Sequence, residues 1–142
     1  MNSFVINHLH VVFGTKNRVP LIEPELEQSI YNYIGGIGRN LGIPILKIGG
    51  MSDHIHLLMM LPATISLSKT MHNIKGSSSR WINDQFFQDN EFKWQGGYSA
   101  FSVSLSNIDK VKQYIERQKI HHQYYSYEEE HRGFLRRHNI IE

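Results

Sequence analysis

The residues with the clearest capacity for chemistry are the two histidines of the segment His54-Ile55-His56. The segment follows Gly49-Gly50 and continues into apolar residues, a pattern typical of a β-strand entered from a turn. Side chains alternate between the faces of a strand, so His54 and His56 point to one face and lie about 6–7 Å apart. Two imidazoles at that separation can bind a single metal ion.

A second pair of residues lies four positions apart in the last predicted helix. Tyr114 and Gln118 share one stripe of that helix, because residues i and i+4 are neighbours on a helix surface. If this stripe faces His54 and His56, the site contains two imidazoles, an amide oxygen and a phenol. A metal ion there would polarise a phosphodiester, and the phenol could attack phosphorus to form a covalent phosphotyrosine. Because this intermediate stores the phosphodiester bond, a second hydroxyl could reseal the strand without ATP.

The elements that position these residues follow the order β-α-β-β-α-β, with one further helix. Strands are predicted over residues 4–15, 43–48, 51–60 and 98–105. Helices are predicted from Pro24 to Gly42 at the latest, from Ser66 to the loop at 88–97, and from Ser106 to about Tyr125. A charged tail with room for a short helix follows. We therefore expect an α+β, ferredoxin-like antiparallel sheet with an additional C-terminal helix that carries Tyr114.

Each candidate pair also has an ordinary explanation. The triplet His8-Leu9-His10 repeats the spacing of the histidine pair on the first predicted strand. In a ferredoxin-like sheet the first and third strands are neighbours, so either pair could bind the metal, or His8 and His10 could support the other pair from behind. Tyr114 could instead be an aromatic side chain that covers the core. The residues alone leave these alternatives open.

Composition limits the classes of function that need to be considered. The 142 residues are 40% hydrophobic and 20% charged, which predicts one folded domain over residues 1–142 with a sizeable core. The absence of cysteine excludes disulfides and thiolate zinc sites. No apolar run reaches the ~18 residues of a membrane span, and Met1 begins no secretory signal pattern. We expect no membrane partner and a cytoplasmic location.

Basic residues are unevenly distributed along the chain. The formal net charge of +2 does not by itself require a nucleic-acid partner, but residues 63–83 contain three basic residues and no acid. Two further basic residues follow the first predicted strand, and Glu128-Glu129-Glu130 concentrates acids near the end. The candidate phosphate contacts are Lys16, Arg18, Lys69, Lys75 and Arg80. Each of them could alternatively be a solvated surface charge.

Several segments taken together point to a known family. They are Asp53-His54-Ile55-His56-Leu57-Leu58, Thr15-Lys16-Asn17-Arg18, Lys75-Gly76-Ser77-Ser78-Ser79, Trp94-Gln95-Gly96-Gly97-Tyr98 and Tyr114-Ile115-Glu116-Arg117-Gln118-Lys119-Ile120-His121-His122. With these segments, nearly the whole chain resembles the single-tyrosine HUH transposases of the insertion-sequence 200/605 type. A histidine pair alone is a weak motif, whereas the pair followed about 60 residues later by Tyr-x-x-x-Gln is considerably more specific.

The resemblance implies a function and a set of site residues. It implies that His54, His56 and Gln118 bind Mg²⁺ or Mn²⁺, and that Tyr114 is the nucleophile that forms a 5′-phosphotyrosine. It also implies recognition of single-stranded DNA with hairpin ends, in a bacterium or archaeon. Members of the family act as homodimers, in which the tyrosine helix of one subunit can serve the histidines of the other. A chain this small offers little surface for both a hairpin and a cleavage site, which also favours two subunits.

Three other functions stay open on the sequence. A replication initiator or relaxase would use the same histidine pair, although the short Tyr-x-x-x-Gln form without further domains argues against it. A ferredoxin-like sheet could also bind single-stranded nucleic acid without catalysis. A domesticated relative that processes repeated hairpins in a genome would have the same residues and would differ only in genomic copy number and flanking sequence.

Overall fold

The computed structural model describes residues 2–141, so Met1 and Glu142, the ends of the predicted domain, lie outside it. Its strands form an antiparallel sheet of four, and helices cover both faces. The bounds are β1 His8–Gly14, α1 Pro24–Leu41, β2 Ile45–Met51, β3 His54–Met60, α2 Leu67–Phe86, β4 Ser99–Val103, α3 Ile108–Glu116, α4 Gln118–His121 and α5 Tyr127–Arg137. The strand order β2-β3-β1-β4 is the ferredoxin-like order that the sequence predicts.

Local signals in the sequence set the helix ends. Pro24 begins α1, because the first N–H groups of a helix have no partner within it and the missing N–H of proline costs nothing there. Gly42 ends α1 in the left-handed conformation, with a φ of 72°. The Ser66 side chain accepts a hydrogen bond from the first turn of α2. Ser126 and Glu129 form a capping box at the start of α5, which is the helix that the charged tail could accommodate. None of the helices within residues 2–141 is long and apolar enough to cross a membrane.

The register of the sheet decides which side chains share a face. In the antiparallel pairing of β1 with β3, Gly14 lies opposite His54 and Val12 lies opposite His56. His54, His56 and His10 therefore point to the same face, which α3, α4 and α5 cover. The opposite face packs against α1 and α2. The core on that side includes Val11, Phe13, Ile30, Ile34, Ile55, Leu57, Met59, Met71 and Ile74.

Three predicted element boundaries are wrong. The first strand begins at His8, because the residues before it lie exposed outside the sheet. Gly49 and Gly50 do not form a turn but pair with β3 as part of β2, and the turn falls after Met51. The last helix is not continuous to Tyr125: Arg117, with φ −96° and ψ 20°, separates α3 from α4. No glycine or proline marks this break.

Gly49 allows α3 to lie directly on the sheet. A Cβ atom at this position would lie 2.4 Å from the carbonyl oxygen of Ile115, which is far closer than a real Cβ contact. Because that oxygen belongs to the backbone of α3, a rotamer change cannot relieve the clash. Gly49 pairs with His56, so the close approach occurs beside the histidine pair. The small residue thus sets the distance between the sheet and the helix that carries Tyr114.

We expect Gly49→Ala to lower the free energy of unfolding by about 1–3 kcal/mol, since the extra methyl group must push α3 away from β2. Urea denaturation followed by circular dichroism measures the change. Gly36→Ala is the matched control: its Cβ would lie 3.6 Å from the flexible end of Arg39, within α1. Gly36→Ala should leave the free energy of unfolding unchanged or raise it. Equal stability of Gly49→Ala and the wild type would contradict the packing argument.

Candidate active site

His54 is buried and is oriented by its neighbour in the chain. Its Nδ1 lies 2.8 Å from a carboxylate oxygen of Asp53. An ionised carboxylate can only accept a hydrogen bond, so Nδ1 carries the proton and Nε2 faces the interior of the site. The lowered pKa of Asp53 fits this arrangement: burial raises it, but the hydrogen bond from His54 and the charges of His54 and Arg18 together outweigh burial. A carboxylate behind a histidine in this manner is common where the other nitrogen binds a metal.

His56 is also fully buried, and its nearest nitrogen partner is His10. The His56 Nδ1 and the His10 Nε2 are 2.7 Å apart, so the two rings share one N–H. Burial, together with the charge of His56, lowers the pKa of His10 to about 3, and burial likewise lowers the pKa of His56. His10 therefore lies behind His56 as a neutral partner. Of the arrangements that the sequence left open for His10, this is the supporting one.

Tyr114 and Gln118 lie above the histidine pair, at the break between α3 and α4. The Gln118 side chain is buried, and its Oε1 is 3.1 Å from the Nε2 of His54. Tyr114 is half-buried, and its hydroxyl donates a hydrogen bond to the Glu130 carboxylate. The structure thus brings together all four residues that the sequence and the resemblance nominated for metal binding and nucleophilic attack.

Glu130, on α5, is the central charge of this cluster, and the sequence alone places it only in a charged tail. It is 4% exposed. Its Oε1 lies 3.0 Å from the Nε2 of His56, 3.5 Å from that of His54 and 3.3 Å from that of His122. The Ser126-x-x-Glu129 capping box could have predicted α5. Phe134, one turn after Glu130, would then have marked the buried face.

The charges of the cluster control one another. Burial alone would raise the pKa of Glu130, but hydrogen bonds from His122, His54 and His56 hold it far below its ordinary value. Burial lowers the pKa of His54, and hydrogen bonds to Asp53, Glu130 and Gln118 outweigh that effect and raise it to about 9. Burial and the Glu130 charge raise the pKa of Tyr114. The site therefore holds an ionised carboxylate, a protonated His54 and a protonated phenol.

The donor atoms of the cluster suit a divalent cation. One ligand atom each from His54, His122 and Glu130 all lie within 4.8 Å of one another. His56 Nε2 and Gln118 Oε1 border the same space. A mixed set of imidazole nitrogens and amide or carboxylate oxygens is typical of divalent metal sites in proteins. The residues present thus fit the metal ion that the resemblance implies.

Three of the five predicted phosphate contacts line one open cleft. Lys16, Arg18 and Lys75 border a cavity of about 890 Å³. The Lys75 ammonium donates hydrogen bonds of 2.7 Å to the carbonyls of Gln95 and Gly97, so it also holds the loop that forms one wall. The other two, Lys69 and Arg80, are exposed on α2 outside the lining of this cleft.

The cleft and the histidine cluster meet at Arg18. The Arg18 guanidinium carbon lies 3.7 Å from the centre of the Tyr127 ring, a cation–π contact. The centres of the Tyr127 and His54 rings are 4.7 Å apart. Tyr127, in the first turn of α5, therefore lies between Arg18 of the cleft and His54 of the cluster.

Comparison with protein families relates the chain to one group. The family model described as "Transposase IS200 like" matches residues 4–118. The transposase for insertion sequence element IS200 of Salmonella typhimurium is 30% identical over 115 residues, which cover 77% of this chain and 74% of that protein. The ISDra2 transposase TnpA of Deinococcus radiodurans is 24% identical over 114 residues, covering 77% of this chain and 81% of the relative.

Solved structures share the fold. A putative transposase from Deinococcus radiodurans superposes with a TM-score of 0.67 and 22% identity, covering 83% of this chain and 95% of that one. A REP-associated tyrosine transposase bound to a REP hairpin superposes with a TM-score of 0.66 and 15% identity, covering 88% and 74%. At these identities the likeness establishes the architecture. The residues of α5 lie beyond the segment that the family model matches.

Proposed function

Because this chain belongs to the IS200-like transposase family, we propose that it cleaves and rejoins single-stranded DNA by transesterification through a phosphotyrosine, acting as a single domain over residues 1–142. The observation that carries the proposal is the convergence of Tyr114 with His54, His56 and Gln118 in one buried cluster. A phenol beside a divalent-metal donor set is suited to attack on phosphorus.

Tyr114 is the proposed nucleophile. Its oxygen forms a bond to phosphorus while the bond from phosphorus to the 3′ oxygen breaks, which leaves a 5′-phosphotyrosine and a free 3′-hydroxyl. The hydroxyl proton must leave during attack, and the pKa of Tyr114 is raised by burial and by the Glu130 charge. The phenol therefore stays protonated until substrate and metal alter this environment. Attack by a 3′-hydroxyl on the phosphotyrosine reverses the bond changes and joins the strands.

His54, His56 and Gln118 are the proposed residues that hold Mg²⁺ or Mn²⁺. When bound, the cation polarises the scissile phosphate and neutralises charge that develops on its oxygens. Asp53 contacts Nδ1 of His54, and His10 contacts Nδ1 of His56. Both His54 and His56 therefore present Nε2 to the same space. These two contacts fix the direction of the ligand atoms before any substrate enters.

DNA hairpin ends are the proposed substrate, as the family resemblance implies. The REP-associated transposase that shares this fold is itself bound to a hairpin. The cleft lined by Lys16, Arg18 and Lys75 offers positive charge for the phosphate backbone, which positions DNA without selecting sequence. Lys69 and Arg80 would extend this contact along the exposed side of α2.

A homodimer is the proposed assembly. In the described chain, Tyr114 reaches the histidine cluster of its own subunit through Glu130. In a dimer the helix that carries Tyr114 could instead serve the partner subunit. Light scattering at micromolar concentration should give twice the mass of one chain, and a monomer under those conditions would contradict this part of the proposal.

The function is tested by trapping the covalent intermediate. Labelled single-stranded DNA from the region that flanks the coding sequence, with its hairpin intact, is incubated with the protein and Mg²⁺, Mn²⁺ or EDTA. We expect a protein–DNA adduct that survives denaturation, forms only with a divalent cation, and maps to Tyr114 by peptide mass spectrometry. The opposite strand is the control substrate, since it lacks the recognised end.

The alternatives predict different products. Cleavage that leaves a free 5′-phosphate and no adduct would indicate a hydrolytic nuclease. Tight binding of the hairpin without cleavage, on the true end of the element, would indicate a non-catalytic binding module. An adduct on another tyrosine would leave the reaction class intact and refute the assignment of Tyr114.

A further inference from the structure

Two histidines of the cluster have their protons placed by groups that can only accept hydrogen bonds. His54 Nδ1 lies 2.8 Å from the Asp53 carboxylate, and His122 Nδ1 lies 2.8 Å from the carbonyl oxygen of Tyr125. Each Nδ1 must therefore carry the hydrogen. In the neutral form of either ring, Nε2 is then a lone pair, which is the form that binds metals.

In that neutral form, the lone pairs of both rings would point at the lone pairs of acceptor atoms. Nε2 of His54 and Nε2 of His122 lie 3.1 and 3.0 Å from Gln118 Oε1. The Gln118 amide cannot be flipped without loss, because its Nε2 donates to Glu130 Oε2 at 3.0 Å. Glu130 Oε1 is a third acceptor in the same space. A divalent cation among these atoms would bind the lone pairs of both imidazoles and of the oxygen acceptors at once.

The spacing matches a coordination sphere. Glu130 Oε1 lies 3.0 to 3.5 Å from the Nε2 atoms of His56, His122 and His54. Neighbouring ligands of an octahedral ion with bonds of about 2.1 Å are about 3 Å apart. The distance from Glu130 Oε1 to each imidazole nitrogen is therefore the distance expected between two ligands of the same ion. The other carboxylate oxygen, Oε2, accepts the hydrogen bond of Tyr114.

We propose that Glu130 and His122 are ligands of the divalent cation, and that the segment after α3 completes a metal site that His54, His56 and Gln118 begin. The inference rests on the metal requirement of the proposed function. Both residues lie beyond residues 4–118, the part of the chain that the family model matches. Glu130 then links the metal to the nucleophile, since one carboxylate contacts both the imidazoles and the phenol.

A different role for Glu130 makes the opposite prediction. If Glu130 only balances the charge of protonated histidines, it occupies the space that the metal needs. Its removal would then free the imidazoles, and the metal would bind with equal or higher affinity. The direction of the change in affinity therefore separates a ligand from a competing counter-ion.

The test is a Mn²⁺ titration of the full chain without DNA, with free Mn²⁺ followed by its electron paramagnetic resonance signal. We expect Glu130→Gln and His122→Ala each to weaken Mn²⁺ binding by at least about 10-fold, the lower end of the loss seen when supporting residues of metal sites are removed. Glu128→Gln is the matched control, because Glu128 is an exposed carboxylate in the first turn of the same helix. The Mn²⁺ affinity of Glu128→Gln should equal that of the wild type.

The outcomes separate this inference from the proposed function. One outcome overturns the inference while the function stands. In it, the wild type binds Mn²⁺ and His54→Ala does not, but Glu130→Gln binds Mn²⁺ as tightly as the wild type or more tightly. If the wild type binds no Mn²⁺ and still forms the adduct in EDTA, the metal requirement itself fails. Circular dichroism checks that each variant folds. If Glu130→Gln does not fold, the Mn²⁺ affinity of His122→Ala decides: a loss of about 10-fold or more supports the inference, and an unchanged affinity overturns it.

Discussion

Replacing Tyr114 with phenylalanine should abolish the covalent protein–DNA adduct and lower strand cleavage by at least about 10³-fold, because the bond to phosphorus can no longer form. The variant loses one oxygen atom and one hydrogen bond to Glu130. Glu130 keeps its contacts with Gln118 and His56, so the cluster should stay folded. Denaturing gels with labelled DNA measure the adduct and the cleaved strand together.

The control for this substitution is Tyr124→Phe, since Tyr124 is 76% exposed after α4 and lies only ten residues further along. It should form the adduct at the wild-type rate. Hairpin binding by Tyr114→Phe should also be unchanged, because Tyr114 does not line the basic cleft. An adduct that persists in Tyr114→Phe would refute its role as nucleophile, and loss of hairpin binding would show that the substitution disturbs more than the reaction.

Replacing His54 or His56 with alanine should lower cleavage by at least about 10²-fold, since loss of a metal ligand removes charge stabilisation worth several kcal/mol. Both side chains are buried on β3 and present Nε2 to the cluster. Single-turnover cleavage at increasing Mn²⁺ measures the effect. Higher Mn²⁺ should restore part of the activity of these variants, and it should restore none to Tyr114→Phe.

His72→Ala provides the matched histidine control, because His72 is exposed on α2, on the opposite face of the sheet. It should cleave as the wild type does at every Mn²⁺ concentration. Full activity of both His54→Ala and His56→Ala would contradict a metal site at this pair. Equal loss at all Mn²⁺ concentrations, with an altered circular dichroism spectrum, would instead point to a packing defect on β3.

Patterns that depend on neighbours in the chain are predictable from the sequence. The alternation of side chains along β3 places His54 and His56 on one face, whatever the rest of the chain does. Pro24, Gly42 and Ser66 give the ends of α1 and the start of α2 for the same reason, since caps and turns depend on a few adjacent residues. The order of strands and helices then predicts the ferredoxin-like sheet.

Wrong predictions occur where a contact partner lies far away in the sequence. Gly49-Gly50 is a typical turn signal, but these residues stay in β2 because Ile115 of α3, more than 60 residues later, packs onto Gly49. The sequence predicts a continuous last helix, whereas the helix breaks at Arg117, where Gln118 becomes buried beside His54. Tertiary packing overrides local propensity at both places.

By itself, the sequence determined the histidine pair, the Tyr-x-x-x-Gln stripe, the order of the elements and the family resemblance. Only the tertiary structure decided that His10 lies behind His56 and that Glu130 joins the cluster from α5. The physical reason is that spacing along one strand or helix follows from fixed backbone geometry. The approach of α5 to the sheet instead depends on packing between segments more than 70 residues apart, as the contact of Glu130 with His56 illustrates.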